Sequence, residues 1–213
     1  MKITRIKKAA LITLFFGLTG LLTFTFLPSP MQNKSITFIP ISEKNKSEMP
    51  VDFPTHLYRE LLLTLSFPKW LWLGDSQYVI LNIQSENSGL VEKLDLSSQY
   101  STSLEARLEL TSMEIYPGNI MFQVLQSEKP AQFLWEVTAE NRSGSAGKLW
   151  LFVVINHSDE GIEWTIPVFA LPIGMSIRSW LGWTLPIVRG MLITGLVFLI
   201  VLWIIFTTPR LIK

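Results

Sequence analysis

The sequence predicts a mainly β fold, an antiparallel β-sandwich flanked by two transmembrane α-helices. Two runs of 19 residues without a charged side chain lie near the ends of the chain, at 9–27 and 190–208. Between them, apolar and polar residues alternate over many short stretches, as they do in strands whose successive side chains point to opposite faces of a sheet. No amphipathic helical pattern of comparable strength interrupts this alternation, which favours a sandwich.

Each apolar run is long enough to cross a bilayer as a helix. At a rise of 1.5 Å per residue, such a helix is roughly 28 Å long, close to the ~30 Å hydrocarbon core. Residues 1–8 carry four basic side chains and no acidic one, which predicts a cytoplasmic N-terminus. A chain that leaves through the first helix must return through the second. We therefore expect a protein of the cell membrane with both termini in the cytoplasm and the central domain outside.

A cleaved secretory signal is the alternative for the first run, because it too begins with a basic region. The apolar part of such a signal is about 7 to 15 residues long and ends at small residues. Here the apolar run is longer, and bulky residues such as Phe24, Phe26 and Leu27 precede Pro28. Length and flanking residues thus favour a retained anchor.

The composition divides the chain into seven segments. They are a cytoplasmic N-terminus (1–8), transmembrane helix 1 (9–27), an extracytoplasmic linker (28–56), a β-sandwich domain (57–172), an interfacial segment (173–189), transmembrane helix 2 (190–208) and a cytoplasmic tail (209–213). The linker is polar and rich in proline, a composition that cannot bury a core. Trp180 and Trp183 before the second helix and Trp203 near its far end are expected at the membrane interface, where an indole ring stays apolar and its N–H stays hydrated.

Within the sandwich domain, one run after another has period two. Leu61, Leu63, Leu65 and Phe67 share a face, and further runs follow at 78–84, 104–110, 133–137, 149–155 and 162–168. A Pro-Gly-Asn sequence interrupts 115–125, so this stretch is expected to form two short strands around a bend. The run at 149–155 is apolar on both faces, which is typical of a covered central strand. Trp135, Trp150 and Trp164 lie in the middle of strands, where core packing accounts for them.

Several spaced motifs occur in a fixed order along this domain. They are Pro68-x-x-Leu71-x-x-Gly74, Leu104-x-Ala106-x-Leu108, Phe133-x-Trp135-x-Val137 and Gly147-x-Leu149-x-Leu151, followed by a transmembrane helix. This order resembles that of bacterial immunoglobulin-like modules placed just before a membrane span. The resemblance implies an immunoglobulin-like sandwich and an accessory or interaction module without chemistry of its own. The chain has no cysteine, so burial rather than a disulfide must stabilise the domain.

Charge and motif content argue against two classes of function. Residues 28–189 hold 17 acidic and 12 basic side chains, a net charge of −5, which disfavours nucleic acid and anionic lipid surfaces as partners. The two histidines, His56 and His157, lack metal-ligand spacing, and no catalytic or nucleotide-binding motif is present. We therefore expect no enzyme, no metal and no cofactor.

The function that remains is a binding or scaffold module, with a protein partner in or at the membrane. Trp70 and Trp72 are the candidate binding residues, since they project to the same side of an extended segment and offer large contact areas. Their alternative role is packing at the sheet edge or toward the bilayer. Two other functions stay open: a ligand sensor that signals through a separate membrane partner, and an envelope enzyme using His157 and Asp159.

Overall fold

The computed structural model describes residues 2–38, 61–85, 100–124, 130–157 and 163–207. In these ranges the chain forms two helices and ten strands. They are α1 (Lys2–Thr25), β1 (Met31–Phe38), β2 (Leu61–Pro68), β3 (Trp70–Trp72), β4 (Ser76–Ser85), β5 (Tyr100–Leu110), β6 (Met113–Tyr116), β7 (Ile120–Val124), β8 (Ala131–Ala139), β9 (Ser145–His157), β10 (Glu163–Arg178) and α2 (Leu185–Thr207).

The strands form two five-stranded sheets. The order is β1-β2-β4-β8-β6 in the first sheet and β3-β10-β9-β5-β7 in the second. Neighbouring strands are antiparallel, except that β3 runs parallel to β10. The prediction of a mainly β sandwich is therefore confirmed, with one parallel pair that the sequence pattern did not indicate.

The core lies between the two sheets and follows from the alternation. Leu63, Leu65 and Phe67 of β2 are at most 1% exposed, as expected for one face of a strand. They pack in a single cluster with inward residues of the second sheet, which include Leu104, Ala106, Leu108, Leu149, Leu151 and Val153. Phe133 and Trp135 of β8 stack in this core with ring centroids 6.0 Å apart. Burial of this apolar area stabilises the disulfide-free domain.

One strand lies inside the segment predicted as a linker. All eight residues of β1 pair with β2, from Met31 opposite Pro68 to Phe38 opposite Leu61. Among the β1 side chains that the structure describes, Ile36 packs against the core. A polar edge strand of this kind is held by backbone hydrogen bonds, which explains why composition alone suggested a linker.

The boundaries around the second helix also differ from the prediction. β10 continues to Arg178 and α2 begins at Leu185, so the interfacial segment at 173–189 is largely strand and helix. Pro186 does not prevent this early start, because proline is tolerated in the first turn of a helix. One helix of the described chain, Leu185–Ile205, is long and apolar enough to cross a membrane, whereas the apolar part of α1, Ala9–Thr25, is shorter.

The two helices pack side by side and run in opposite directions. The Nη2 of Arg189, near the start of α2, donates to the carbonyl oxygen of Thr25 at the end of α1, at 2.6 Å. Further along, a Cβ added at Gly195 would lie 3.6 Å from Cδ1 of Leu18. The start of α1 and the end of α2 are therefore at the same end of the pair.

Candidate functional site

The two candidate binding residues predicted from the sequence lie between the sandwich and the helices. Trp70 and Trp72 belong to β3, at the edge of the second sheet, and are 9% and 5% exposed. They form a small buried cluster with Leu185, the first residue of α2. Their rings meet edge to face at 5.7 Å, and Phe24 of α1 packs against Trp72 at 6.0 Å. We call Trp70, Trp72, Leu185 and Phe24 the joint.

Polar and cation–π contacts lie beside the joint, from β10, from the segment after α1 and from α2. Arg178, at the end of β10, places its guanidinium 4.4 Å from the ring centroid of Trp70, an arrangement that favours cation–π attraction. The backbone N–H of Trp70 donates to Oγ of Ser29, which follows α1, at 3.3 Å. Arg189 also covers the ring of Phe26 at 4.3 Å. The joint thus connects β3 to the ends of both helices.

The location of these tryptophans agrees with the packing alternative, because both side chains contact their own chain at a sheet edge. A role in binding a partner stays a prediction. The residues expected at the membrane interface are more exposed than Trp70 and Trp72: Trp180, Trp183 and Trp203 are 38%, 44% and 49% exposed. Trp203 lines an apolar groove between α1 and α2, together with Phe15 and Phe16. The depth of the three tryptophans in a bilayer likewise stays a prediction.

An apolar surface of the sandwich lies on the outward side of the second sheet. Its edge strand β7 exposes Ile120, Phe122 and Val124 by 40%, 65% and 62%. Trp150 and Phe152 of β9 lie on the same side, with stacked rings 6.4 Å apart. We call these five residues, with Glu105 and Arg107 of β5 between them, the outer face.

The charged residues of the outer face are held in place by its aromatic rings. Glu105 lies in register between Phe122 and Phe152 and is only 8% exposed. Its Oε1 accepts a hydrogen bond from Nη2 of Arg107 at 3.0 Å, and the Arg107 guanidinium lies 5.5 Å from the Phe152 ring centroid. A carboxylate so well shielded from water needs this partner, since an unpaired buried charge is costly.

Trp150 is fixed by two charged neighbours. Its Nε1 donates to Oε2 of Glu109 at 3.1 Å, and Nζ of Lys148 lies 5.3 Å from its ring. These two contacts hold the Trp150 ring in one orientation. Such preorganisation reduces the entropy lost on binding.

The outer face was not predicted from the sequence. Trp150 was expected in the core, whereas the structure places this residue on the outward side, half-buried among polar neighbours. The available signal was the run at 149–155, whose apolar residues occupy both faces, together with the uncharged stretch 117–127 that contains β7. Both patterns indicate more apolar surface than one sandwich core can enclose.

The acid–base pair suggested by the sequence stays a prediction. His157 ends β9, whereas His56 and Asp159 lie outside the described residues. Among the described residues, no group of three His, Cys, Asp or Glu side chains could hold a metal ion.

Comparisons with known proteins give no family. No family model matches the chain, and no curated protein matches it. Among solved structures, a chain in the complex of zinc 2-glycoprotein with prolactin inducible protein from human seminal plasma matches with a TM-score of 0.33 and 13% identity, over 55% of this chain and 93% of that one. The PapD-like domain 7 of human CEP192 matches with a TM-score of 0.27 and 10% identity, over 52% of this chain and 77% of that one. The description as a mainly β sandwich rests on the two sheets themselves.

Proposed function

We propose that this chain is a two-span membrane protein that presents a non-catalytic, immunoglobulin-like β-sandwich outside the cell membrane as a binding or scaffold module. In this proposal α1 and α2 cross the bilayer together, and the sandwich contributes one subunit to a membrane assembly. The antiparallel packing of the helices supports a common membrane side for both termini. The joint supports a fixed position of the sandwich above them.

The observation that carries the binding role is the outer face. Its aromatic residues and arginine are the types enriched in protein–protein interfaces. Phe122 and Val124 are more than 60% exposed on an edge strand that carries no charge. Sheet edges of soluble domains are usually protected by charges or proline, so an uncharged apolar edge favours a protein partner that covers it.

The test uses the full chain extracted in mild detergent. Phe122→Ser and Val124→Ser each remove exposed apolar area, so we expect a loss of partner binding of roughly 10-fold, the effect of about 1.4 kcal/mol at an interface hot spot. Proteins that copurify with the wild type and with each variant are compared by quantitative mass spectrometry. The melting temperature should change little, because these side chains are exposed.

A matched control is Tyr78→Ser on the first sheet. Tyr78 is also an exposed strand aromatic, at 50%, but it lies away from the outer face. Partners should remain bound to this variant. A set of copurifying proteins that is the same for all four chains, or a wild-type monomer without partners under several gentle conditions, would contradict the proposed role.

A further inference from the structure

A short hairpin projects between the last strand and the second helix. Residues 179–184 leave the sheet and return to Leu73: the N–H of Leu73 donates to the carbonyl of Arg178, and the N–H of Leu185 donates to the carbonyl of Leu73, both at 2.8 Å. Within this loop, the N–H of Trp183 donates to the carbonyl of Trp180 at 2.8 Å. We call Trp180–Trp183 the tip hairpin.

The tip hairpin has a defined turn with an unusual residue at its first central position. Leu181 and Gly182 have φ values of 48° and 81°, the positive values that a two-residue type I′ turn requires. Glycine adopts this conformation freely, and the Arg142 side chain occupies the space beside Gly182 that a Cβ would need. Leucine is disfavoured there, because its Cβ crowds the following carbonyl.

The strained leucine is also the most exposed large apolar side chain of the described chain, at 86%. Trp180 and Trp183 flank it at 38% and 44% exposure. The folded chain therefore holds a leucine side chain in an outward position between two partly exposed tryptophans. The described residues bury little of this side chain, so intramolecular packing does not offset the strain of its backbone. A strained backbone that presents an exposed apolar side chain indicates a contact with another molecule.

The position of the hairpin next to α2 indicates that this contact is with the lipid bilayer. Trp183 lies two residues before α2, the helix that is long and apolar enough to cross a membrane. Tryptophan is enriched at the level of the lipid headgroups, and an apolar residue between two tryptophans can enter the adjoining acyl region. Residues 28–189 carry a net charge of −5, but two arginines lie near the hairpin: Arg178 ends β10, and the Arg142 side chain lies beside Gly182. Their guanidinium groups are suited to lipid phosphates at this end of the sandwich.

We propose that the tip hairpin inserts into the outer interface of the phospholipid bilayer, with Leu181 in the acyl boundary and Trp180 and Trp183 at the headgroups. This inference rests on the proposed membrane-spanning arrangement. It adds a third attachment point beside the two helices. The sandwich would then be fixed against rocking on the bilayer surface.

The natural chain has no cysteine, so a single fluorescent label can be placed without other changes. Leu181→Cys, labelled with an environment-sensitive dye, is reconstituted as full-length protein in vesicles of phosphatidylethanolamine and phosphatidylglycerol. Lipids with a nitroxide near the headgroup should quench this dye several-fold more than a dye at Leu134→Cys, an exposed position on the first sheet. A third variant, Val197→Cys in α2, should be quenched by nitroxides deep in the acyl region.

The three labels separate the two proposals. Weak quenching of the dye at position 181, with strong deep quenching of the dye at position 197, would overturn the tip insertion and leave the spanning helix intact. Quenching at neither position would overturn both proposals. A blue-shifted but unquenched dye at position 181 would show that protein, for instance a second copy of this chain, covers the hairpin, and would also overturn insertion.

Discussion

Gly147 is the residue where the second sheet leaves no space for a side chain. It lies on β9 opposite Leu110 of β5 on one side and Ile173 of β10 on the other. A Cβ added there would lie 2.9 Å from Cα of Leu110 and closer still to the carbonyl of Glu109. Backbone atoms cannot move aside as a flexible side chain can, so the β5–β9 pairing depends on glycine at this position.

Gly147→Ala is therefore expected to destabilise the sandwich by about 2 to 4 kcal/mol, within the range of overpacking and backbone distortion. The free energy of unfolding in detergent measures the effect. Gly174→Ala is the matched control, because Gly174 lies on the adjacent strand and a Cβ there would meet no heavy atom within 4 Å. Equal stabilities of the two variants would contradict the close approach.

Trp72 illustrates why a residue pattern cannot separate recognition from packing. Two tryptophans two positions apart lie on the same side of an extended segment. This holds whether that side contacts a partner protein or packs against the rest of the chain. Only the parallel pairing of β3 with β10 places them against Leu185 and Phe24. A strand of three residues is too short to show an alternating pattern, and its partner β10 is distant in the sequence, so β3 cannot be predicted from its own residues.

Burial of Trp72 predicts that Trp72→Ala lowers the free energy of unfolding by about 3 to 5 kcal/mol, the usual cost of a large cavity. Trp180→Ala, at a 38% exposed position, should cost much less. Thermal unfolding of both variants in the same detergent makes the comparison. If Trp72→Ala kept its melting temperature but lost a copurifying partner, Trp72 would belong to a recognition surface instead of the joint.

At the scale of elements, the sequence predicted strands well where one face is buried. The runs that include Leu63, Leu108 and Phe133 all form strands with the expected inward faces. The interruption at Pro117 separates β6 from β7, and the structure places them in different sheets, as two short strands around a bend. Alternation is sufficient here, because a one-residue shift would expose the whole apolar set.

The elements that escaped prediction depend on information outside their own residues. β1 is polar and is held by its pairing with β2, which composition does not encode. Trp135 and Trp150 both lie in the middle of strands, yet the first is fully buried and the second is on the outer face. Period two assigns residues to two faces, but the partner sheet decides which face is the inner one.

At the scale of the whole molecule, the helix pair and the sandwich form one connected unit. Arg189 bridges the end of α1 to the start of α2, and the joint packs both helix ends against β3. If α1 were removed as a signal sequence, Trp72 would lose Phe24 and Arg189 would lose its carbonyl acceptor. The sandwich and α2 thus use contacts that α1 supplies, which is the arrangement expected of a retained anchor.

The antiparallel helix pair predicts one topology, which single cysteines in the otherwise cysteine-free chain can test. The thiol of Tyr78→Cys, at a 50% exposed position of the sandwich, should react in intact cells with a maleimide that cannot cross membranes. The thiol of Lys213→Cys should react only after the cells are opened, because the positive N-terminal flank directs both termini inward. An epitope placed before Lys2 should remain on the mature protein. Protection of the Tyr78→Cys thiol in intact cells would exclude an external sandwich. Loss of the epitope, with that thiol still reactive, would show that α1 is cleaved and would contradict only the first membrane span.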